Sequence, residues 1–116
     1  MQERKRIIIH EDDQGIIDAL KLILNDNKYD TLFIQDATKL ISEIIHFNPS
    51  IVFLDLSIHN TFNLTPIKEI KKLKKVPRII LMSGNANLHE IALKYETEYL
   101  AKPFNISDFD QILELS

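Results

Sequence analysis

Four short apolar runs, each stopping at a polar or charged group, constrain this chain more than any other feature. Ile7-Ile8-Ile9 leads through His10 to Glu11-Asp12-Asp13, and Ile51-Val52-Phe53-Leu54 leads to Asp55. Ile79-Ile80-Leu81-Met82 leads to Ser83-Gly84, and the shorter Tyr99-Leu100-Ala101 leads to Lys102-Pro103. The first three runs are continuous rather than alternating. Strands read this way when helices cover both faces of a parallel sheet. In such open sheets the functional crevice lies beyond the carboxyl ends of the strands, where these polar groups stand.

Between the runs the apolar spacing changes to a helical period. The expected order is strand 5–10, a helix from Gln14 to Asn25, strand 29–35, and a helix capped by Asp36 or Thr38 and running to His46. The first helix would bury Ile16, Ile17, Leu20, Ile23 and Leu24; the second, Leu40, Ile41, Ile44 and Ile45. Asn48-Pro49 breaks the chain before strand 51–55. A polar loop over 57–64 precedes a helix from Thr65 to Lys75, with Pro66 suited to its first turn. Strand 78–82, a helix over 87–95 and strand 97–100 follow. Ser107-Asp108 would cap a final helix carrying Phe109, Ile112 and Leu113, with room for about two turns, so the fold is either trimmed there or cut short. This is five βα units in series, without repeats or linkers.

Size and composition narrow the class. At 116 residues, 45% apolar and 27% charged, the chain has the makings of one soluble globular domain spanning 1–116. It has no cysteine, so disulfides, thiolate metal sites and thiol catalysis are excluded, which fits a cytoplasmic protein. The basic start, Met1-Gln2-Glu3-Arg4-Lys5-Arg6, precedes only three isoleucines, far short of a signal-peptide core or membrane span. The formal net charge of -3 gives no general reason to expect nucleic-acid binding.

If adjacent strands bring Glu11, Asp12 and Asp55 together, their mutual repulsion calls for a hard divalent cation with oxygen ligands. A carboxylate is also a nucleophile toward phosphorus, giving an aspartyl phosphate. Lys102 and the Ser83 hydroxyl would then bind phosphoryl oxygens. Any one acidic residue at a strand end is ordinarily just solvated. The whole set at matching strand ends is not.

These motifs resemble the response-regulator receiver domains of bacterial two-component signalling, and the resemblance covers essentially the whole chain. The ordered signature is the acidic pair Glu11-Asp12, then Asp55, then Ser83-Gly84, then Tyr99-Leu100-Ala101-Lys102-Pro103-Phe104. The resemblance implies a flavodoxin-like, doubly wound α/β fold with a five-stranded parallel sheet in the order 2-1-3-4-5. It implies that Asp55 accepts a phosphoryl group from a sensor histidine kinase or histidine phosphotransfer protein. Mg²⁺ would be bound by Asp12 and Asp55 directly, Glu11 through water, and Ser57 through its backbone carbonyl. Ser83 would move onto the phosphoryl group, Tyr99 would turn into the space it vacates, and Lys102 would pair first with Asp55 and then with the phosphate. A cis Lys102–Pro103 bond is implied as well. Asp13 reads as a helix-start carboxylate rather than a ligand.

The loop after Asp55 departs from the family pattern, with His59 where a proline and Asn63 where a glycine are usual, and so should be less fixed. The usual Gly-Ala before the fifth strand is Tyr95-Glu96, so the preceding helix should end differently. His59 reads as a solvent-exposed loop residue, His10 as a satisfied core residue, and His46 and His89 as ordinary helix residues. Lys68, Lys71, Lys72, Lys74 and Lys75 read as a solvated helix face.

Two rivals are poor. A flavodoxin would need a phosphate loop where Glu11-Asp12-Asp13 stands, and a haloacid-dehalogenase-type phosphatase would need a second aspartate at position 57. The serious alternative is a receiver-like interaction module acting without phosphorylation. The expectation is a phosphorylation-dependent switch, monomeric or forming a phosphorylation-linked dimer, with a downstream protein target. It would have no membrane insertion, no direct nucleic-acid contact, and no catalysis beyond self-phosphorylation and slow self-dephosphorylation. Ser57 and Asn85 lie where the attacking water would pass.

Overall fold

The computed structural model describes residues 4–25 and 28–114. Met1-Gln2-Glu3 of the basic start and the ends of the expected 1–116 unit lie outside them. In chain order the elements are β1 (Lys5–His10), α1 (Gln14–Ile23), β2 (Tyr29–Ile34), a 3₁₀ turn (Ala37–Lys39), α2 (Leu40–Phe47) and β3 (Ile51–Asp55). There follow β4 (Ser57–Ile58), β5 (Thr61–Phe62), α3 (Thr65–Lys71), β6 (Arg78–Ser83), α4 (Leu88–Tyr95), β7 (Glu98–Ala101) and α5 (Ile106–Glu114).

Five strands form one parallel sheet in the order β2-β1-β3-β6-β7, which is the expected 2-1-3-4-5 order once the small β4-β5 pair is set aside. Residues two apart on a strand share a face, and the core divides accordingly. Ile7, Ile9, Phe53, Ile80 and Met82 meet Leu20 of α1, Leu24 at its C-cap, and Phe109 and Leu113 of α5. Ile8, Val52, Leu54, Ile79 and Leu81 meet Leu40, Ile44, Ile67, Ile70, Leu88 and Ala92 of α2, α3 and α4. The fold is therefore doubly wound. Phe109 stacks on Phe53 of the central strand at 4.6 Å between centroids and so ties the last helix to the middle of the sheet.

Several boundaries differ from the sequence reading, for local reasons. Asp36 caps only the 3₁₀ turn, accepting from the Thr38 N–H, and α2 begins at Leu40. Leu40 and Ile44 form its buried stripe, and Ile45, about 140° around the helix from Leu40, points outward and is 64% exposed. The final helix starts at Ile106 and is held by a reciprocal pair in front of it. Asn105 Oδ1 accepts from the Asp108 N–H, and Asp108 Oδ2 accepts from the Asn105 N–H. This is the geometry of a capping box, so Asn105 and Asp108 do what Ser107-Asp108 was expected to do. α3 stops at Lys71, four residues early, and α4 ends on Glu96 in the left-handed region at φ 55°. The bulky Tyr95-Glu96 pair thus closes its helix without glycine, and Lys71 Nζ donates to the Glu96 carbonyl from across the gap.

The largest departure lies after Asp55. The expected loose loop is a two-stranded antiparallel hairpin, pairing Ser57 with Phe62 and Ile58 with Thr61. His59 and Asn60 are its two turn residues, with φ of 53° and 61°. Positive φ at both central positions defines a type I′ turn, whose twist suits a tight hairpin. Asn63 does not take a positive φ; its N–H reaches the Leu56 carbonyl and its side chain caps Thr65. The loop is fixed by means other than proline and glycine.

Candidate functional site

The carboxyl ends of β1, β3, β6 and β7 are neighbours in the sheet, and β1 leads to two functional groups and each of the others to one. β1 ends at His10, whose Nδ1 lies 2.8 Å from the Ile34 carbonyl in the core, as expected of a satisfied buried histidine. Asp13 then caps α1 by accepting from the Ile16 N–H. Glu11 and Asp12 are held between a strand end and a helix start, and both adjacent N–H groups, of Asp12 and Asp13, donate to Glu11 Oε2. Asp55 is the last residue of β3 and buried; its Oδ1 accepts from the Ser57 N–H at 2.9 Å.

Lys102 crosses from β7 to close the cluster. Its Nζ lies 2.6 Å from Glu11 Oε1 and 3.1 Å from Asp55 Oδ2. Its backbone N–H donates to the Ser83 carbonyl, and the next peptide bond, Lys102–Pro103, is cis. Ser83 is buried with its hydroxyl accepting from the Asn85 N–H at 3.0 Å. The Asn85 side chain, expected beside the water path, is turned toward its own loop, where Oδ1 accepts from the Asn87 N–H.

Glu11, Asp12 and Asp55 each offer a carboxylate oxygen within 4.8 Å of the others. Charges this close in a partly dry pocket repel strongly. Burial, then the Asp55 carboxyl beside it, pushes the Glu11 carboxyl up to about 7, against the pull of Lys102 and the Asp13 N–H. Burial works against the Lys102 ammonium, but pairing with Glu11 and Asp55 outweighs it and raises its pKa, so this group stays charged. With all three acids ionised, three negative charges face one ammonium, an excess of two that a divalent cation would balance. The donors are all hard oxygens, which is the set Mg²⁺ prefers. The residues fit the ion.

His59, at the hairpin tip, is more constrained than a free loop histidine. Its N–H donates to Asp12 Oδ2 at 2.8 Å and its ring Nδ1 lies 3.4 Å from the same oxygen. The hairpin therefore positions Asp12. The sequence signal was the two polar residues between Ile58 and Thr61-Phe62, a hairpin spacing without its usual glycine. His89 also differs from its reading as an ordinary helix residue, since its ring meets Tyr99 across α4 and β7. The five lysines of the α3 region are exposed, as expected of a solvated face. Among the described residues no helix is long and apolar enough to cross a membrane.

Comparison with known proteins agrees with this geometry. Residues 7–114 match the family model described as response regulator receiver domain. The N-terminal domain of the nisin resistance regulator NsrR, a lantibiotic response regulator, superposes with a TM-score of 0.84 at 25% identity over 97% of both chains. The signal receiver domain of a response regulator from Bermanella marisrubri gives 0.81 at 26% identity, over 97% of this chain and 98% of that one. A CheY-like receiver domain from Methylobacillus flagellatus gives 0.82 at 24% identity, over 97% and 98%, a likeness of fold. The DNA-binding response regulator MtrA of Mycobacterium tuberculosis (strain ATCC 25618 / H37Rv) is 25% identical over 104 residues, 87% of this chain and 45% of MtrA. The chain thus spans less than half the length of the curated relatives it matches.

Proposed function

This chain belongs to the response regulator receiver domain family, and from that premise we propose that it is a phosphorylation-dependent signalling switch with Asp55 as the acceptor. The observation that carries the proposal is the placement of Asp55. Its carboxylate ends the central strand, with two more carboxylates beside it and Lys102 across from it. That is a nucleophile in an electrostatic setting built to take up and read a phosphoryl group.

In the proposed reaction an Asp55 carboxylate oxygen attacks the phosphorus of a phosphohistidine on a sensor kinase or phosphotransfer protein. The P–N bond breaks, the imidazole leaves, and Asp55 becomes an acyl phosphate. Mg²⁺, held by Glu11, Asp12, Asp55 and the Ser57 carbonyl, would supply charge neutralisation at the phosphoryl oxygens. Lys102, already 3.1 Å from Asp55, follows the new charge onto the phosphate. Ser83 gives up its bond from the Asn85 N–H and donates its hydroxyl instead, and Tyr99 turns inward. In self-dephosphorylation water attacks the same phosphorus, the P–O bond to Asp55 breaks, and the free carboxylate and inorganic phosphate result.

Residues 1–116 act in this proposal as one cytoplasmic receiver unit, alone or pairing on phosphorylation, with a downstream protein target. The expectation of no nucleic-acid contact does not extend to a longer regulator, since the relatives are named as DNA-binding proteins. Such contact would come from residues outside the matched segment. The test is incubation with Mg²⁺ and acetyl phosphate beside Asp55→Asn. A phosphoryl mass gain in the wild type alone is expected. No gain, with the fold intact, would favour an interaction module that works unphosphorylated.

A further inference from the structure

We propose that His89 is a positioning residue for the switch, a latch that holds Tyr99 outward and so sets how readily this protein adopts its phosphorylated form. The inference rests on the switch reading above but adds a residue to it from a separate contact.

Tyr99 lies on β7 two residues before Ala101, which pairs in register with Ser83 of β6. Residues two apart share a face, and in-register neighbours on parallel strands share it too, so Tyr99 stands on the same face as Ser83. That face is covered by α4. Tyr99 is nevertheless 42% exposed, with its ring outside the core. Two contacts account for this. Its hydroxyl lies 3.1 Å from His89 Nδ1, within hydrogen-bond range for either tautomer of the imidazole. The two rings meet edge to face, 5.4 Å between centroids and 71° between planes, which is a favourable arrangement for aromatic groups.

His89 is on the first turn of α4, a helix anchored by buried Leu88 and Ala92. The imidazole is thus carried by an anchored helix, and the phenol by the edge strand β7. An inward Tyr99 would lose both contacts together, because Nδ1 and the ring face belong to one side chain. Every such contact made only in the outward state biases the equilibrium against the inward one. A hydrogen bond and an edge-to-face ring contact, both at the surface, are together worth about five- to tenfold in that equilibrium.

The probe is beryllofluoride with Mg²⁺ as a phosphoryl stand-in, read on the 116-residue chain labelled with fluorotyrosine, with the Tyr99 signal assigned from Tyr99→Phe. In the unliganded protein, His89→Ala should move the Tyr99 fluorine signal toward its beryllofluoride-bound position and tighten beryllofluoride binding about five- to tenfold. His89→Gln, which retains a hydrogen-bonding group, should restore part of the outward signal. In a Tyr99→Phe background His89→Ala should have a smaller effect on binding, since the hydrogen bond is already gone and only the ring contact is left to lose. His89 is exposed and alanine favours helix, so the fold should survive the change. An unchanged Tyr99 signal in His89→Ala, or equal effects of that change with and without the Tyr99 hydroxyl, overturns the latch while leaving the switch standing. A wild-type Tyr99 signal that ignores beryllofluoride although it binds at Asp55 overturns the switch, and the latch with it.

Discussion

At the scale of single residues, the site is a balance between Glu11, Asp55 and Lys102. Glu11 is fully buried, and its carboxyl rises from 4.5 to about 7 because burial and Asp55 disfavour its charge. The folded protein then binds a proton between those two values that the unfolded chain has released. Stability from this group is complete below about 4.5 and is lost as pH climbs to about 7. Without metal, denaturant titrations should show stability falling across that window by up to about 3 kcal/mol, and Glu11→Gln should flatten the slope. Lys102→Met leaves two buried carboxylates without their cation. As Lys102 is partly open to solvent, the expected cost at neutral pH is about 2 kcal/mol, less than for a fully buried ion pair. Mg²⁺ should restore part of it, because a ligand that binds only the folded state stabilises it; equal midpoints with and without Mg²⁺ in this variant would argue against the shared charge balance.

At the scale of elements, the β4-β5 hairpin carries His59 to Asp12. Its two turn residues sit in the left-handed region without being glycine, which costs a β-branched residue more than asparagine. Asn60→Gly should therefore match or exceed wild-type thermal stability, and Asn60→Val should lower stability by about 1–2 kcal/mol. Equal melting temperatures for the two would mean the turn is not held in this form. The contrast with the strand ends shows what a sequence exposes. Asp55, Ser83 and Lys102 were legible because each closes an apolar run, and the end of such a run marks where a strand buried on both faces leaves the core. The hairpin was hidden because Ser57, Ile58, Thr61 and Phe62 are too few to show a period, and the turn carries no glycine. The His89–Tyr99 contact was hidden for another reason: it depends on how α4 lies over β7, which no local pattern encodes. Ile45 misled because it lies about 140° around the helix from Leu40, at the edge of an apolar stripe centred on Leu40 and Ile44.

At the scale of the whole molecule, the sheet sets the ends of β1, β3, β6 and β7 side by side, and its two helical layers hold them there. Phe109 joins α5 to the central strand, so its removal should be felt throughout: Phe109→Ala is expected to cost about 3–5 kcal/mol in a single cooperative transition. A separate early transition for α5 alone would show that the last helix is not part of the folding unit. The central claim, however, is that one carboxylate at the head of this sheet becomes an acyl phosphate. Its most direct test is to treat the protein with acetyl phosphate and Mg²⁺, trap the acyl phosphate by borohydride reduction, and locate the modified residue by peptide mass mapping. The expected result is reduction at Asp55 alone, lost when metal is withheld. Modification at Glu11, Asp12 or any other carboxylate instead of Asp55, or none in folded protein, would contradict it.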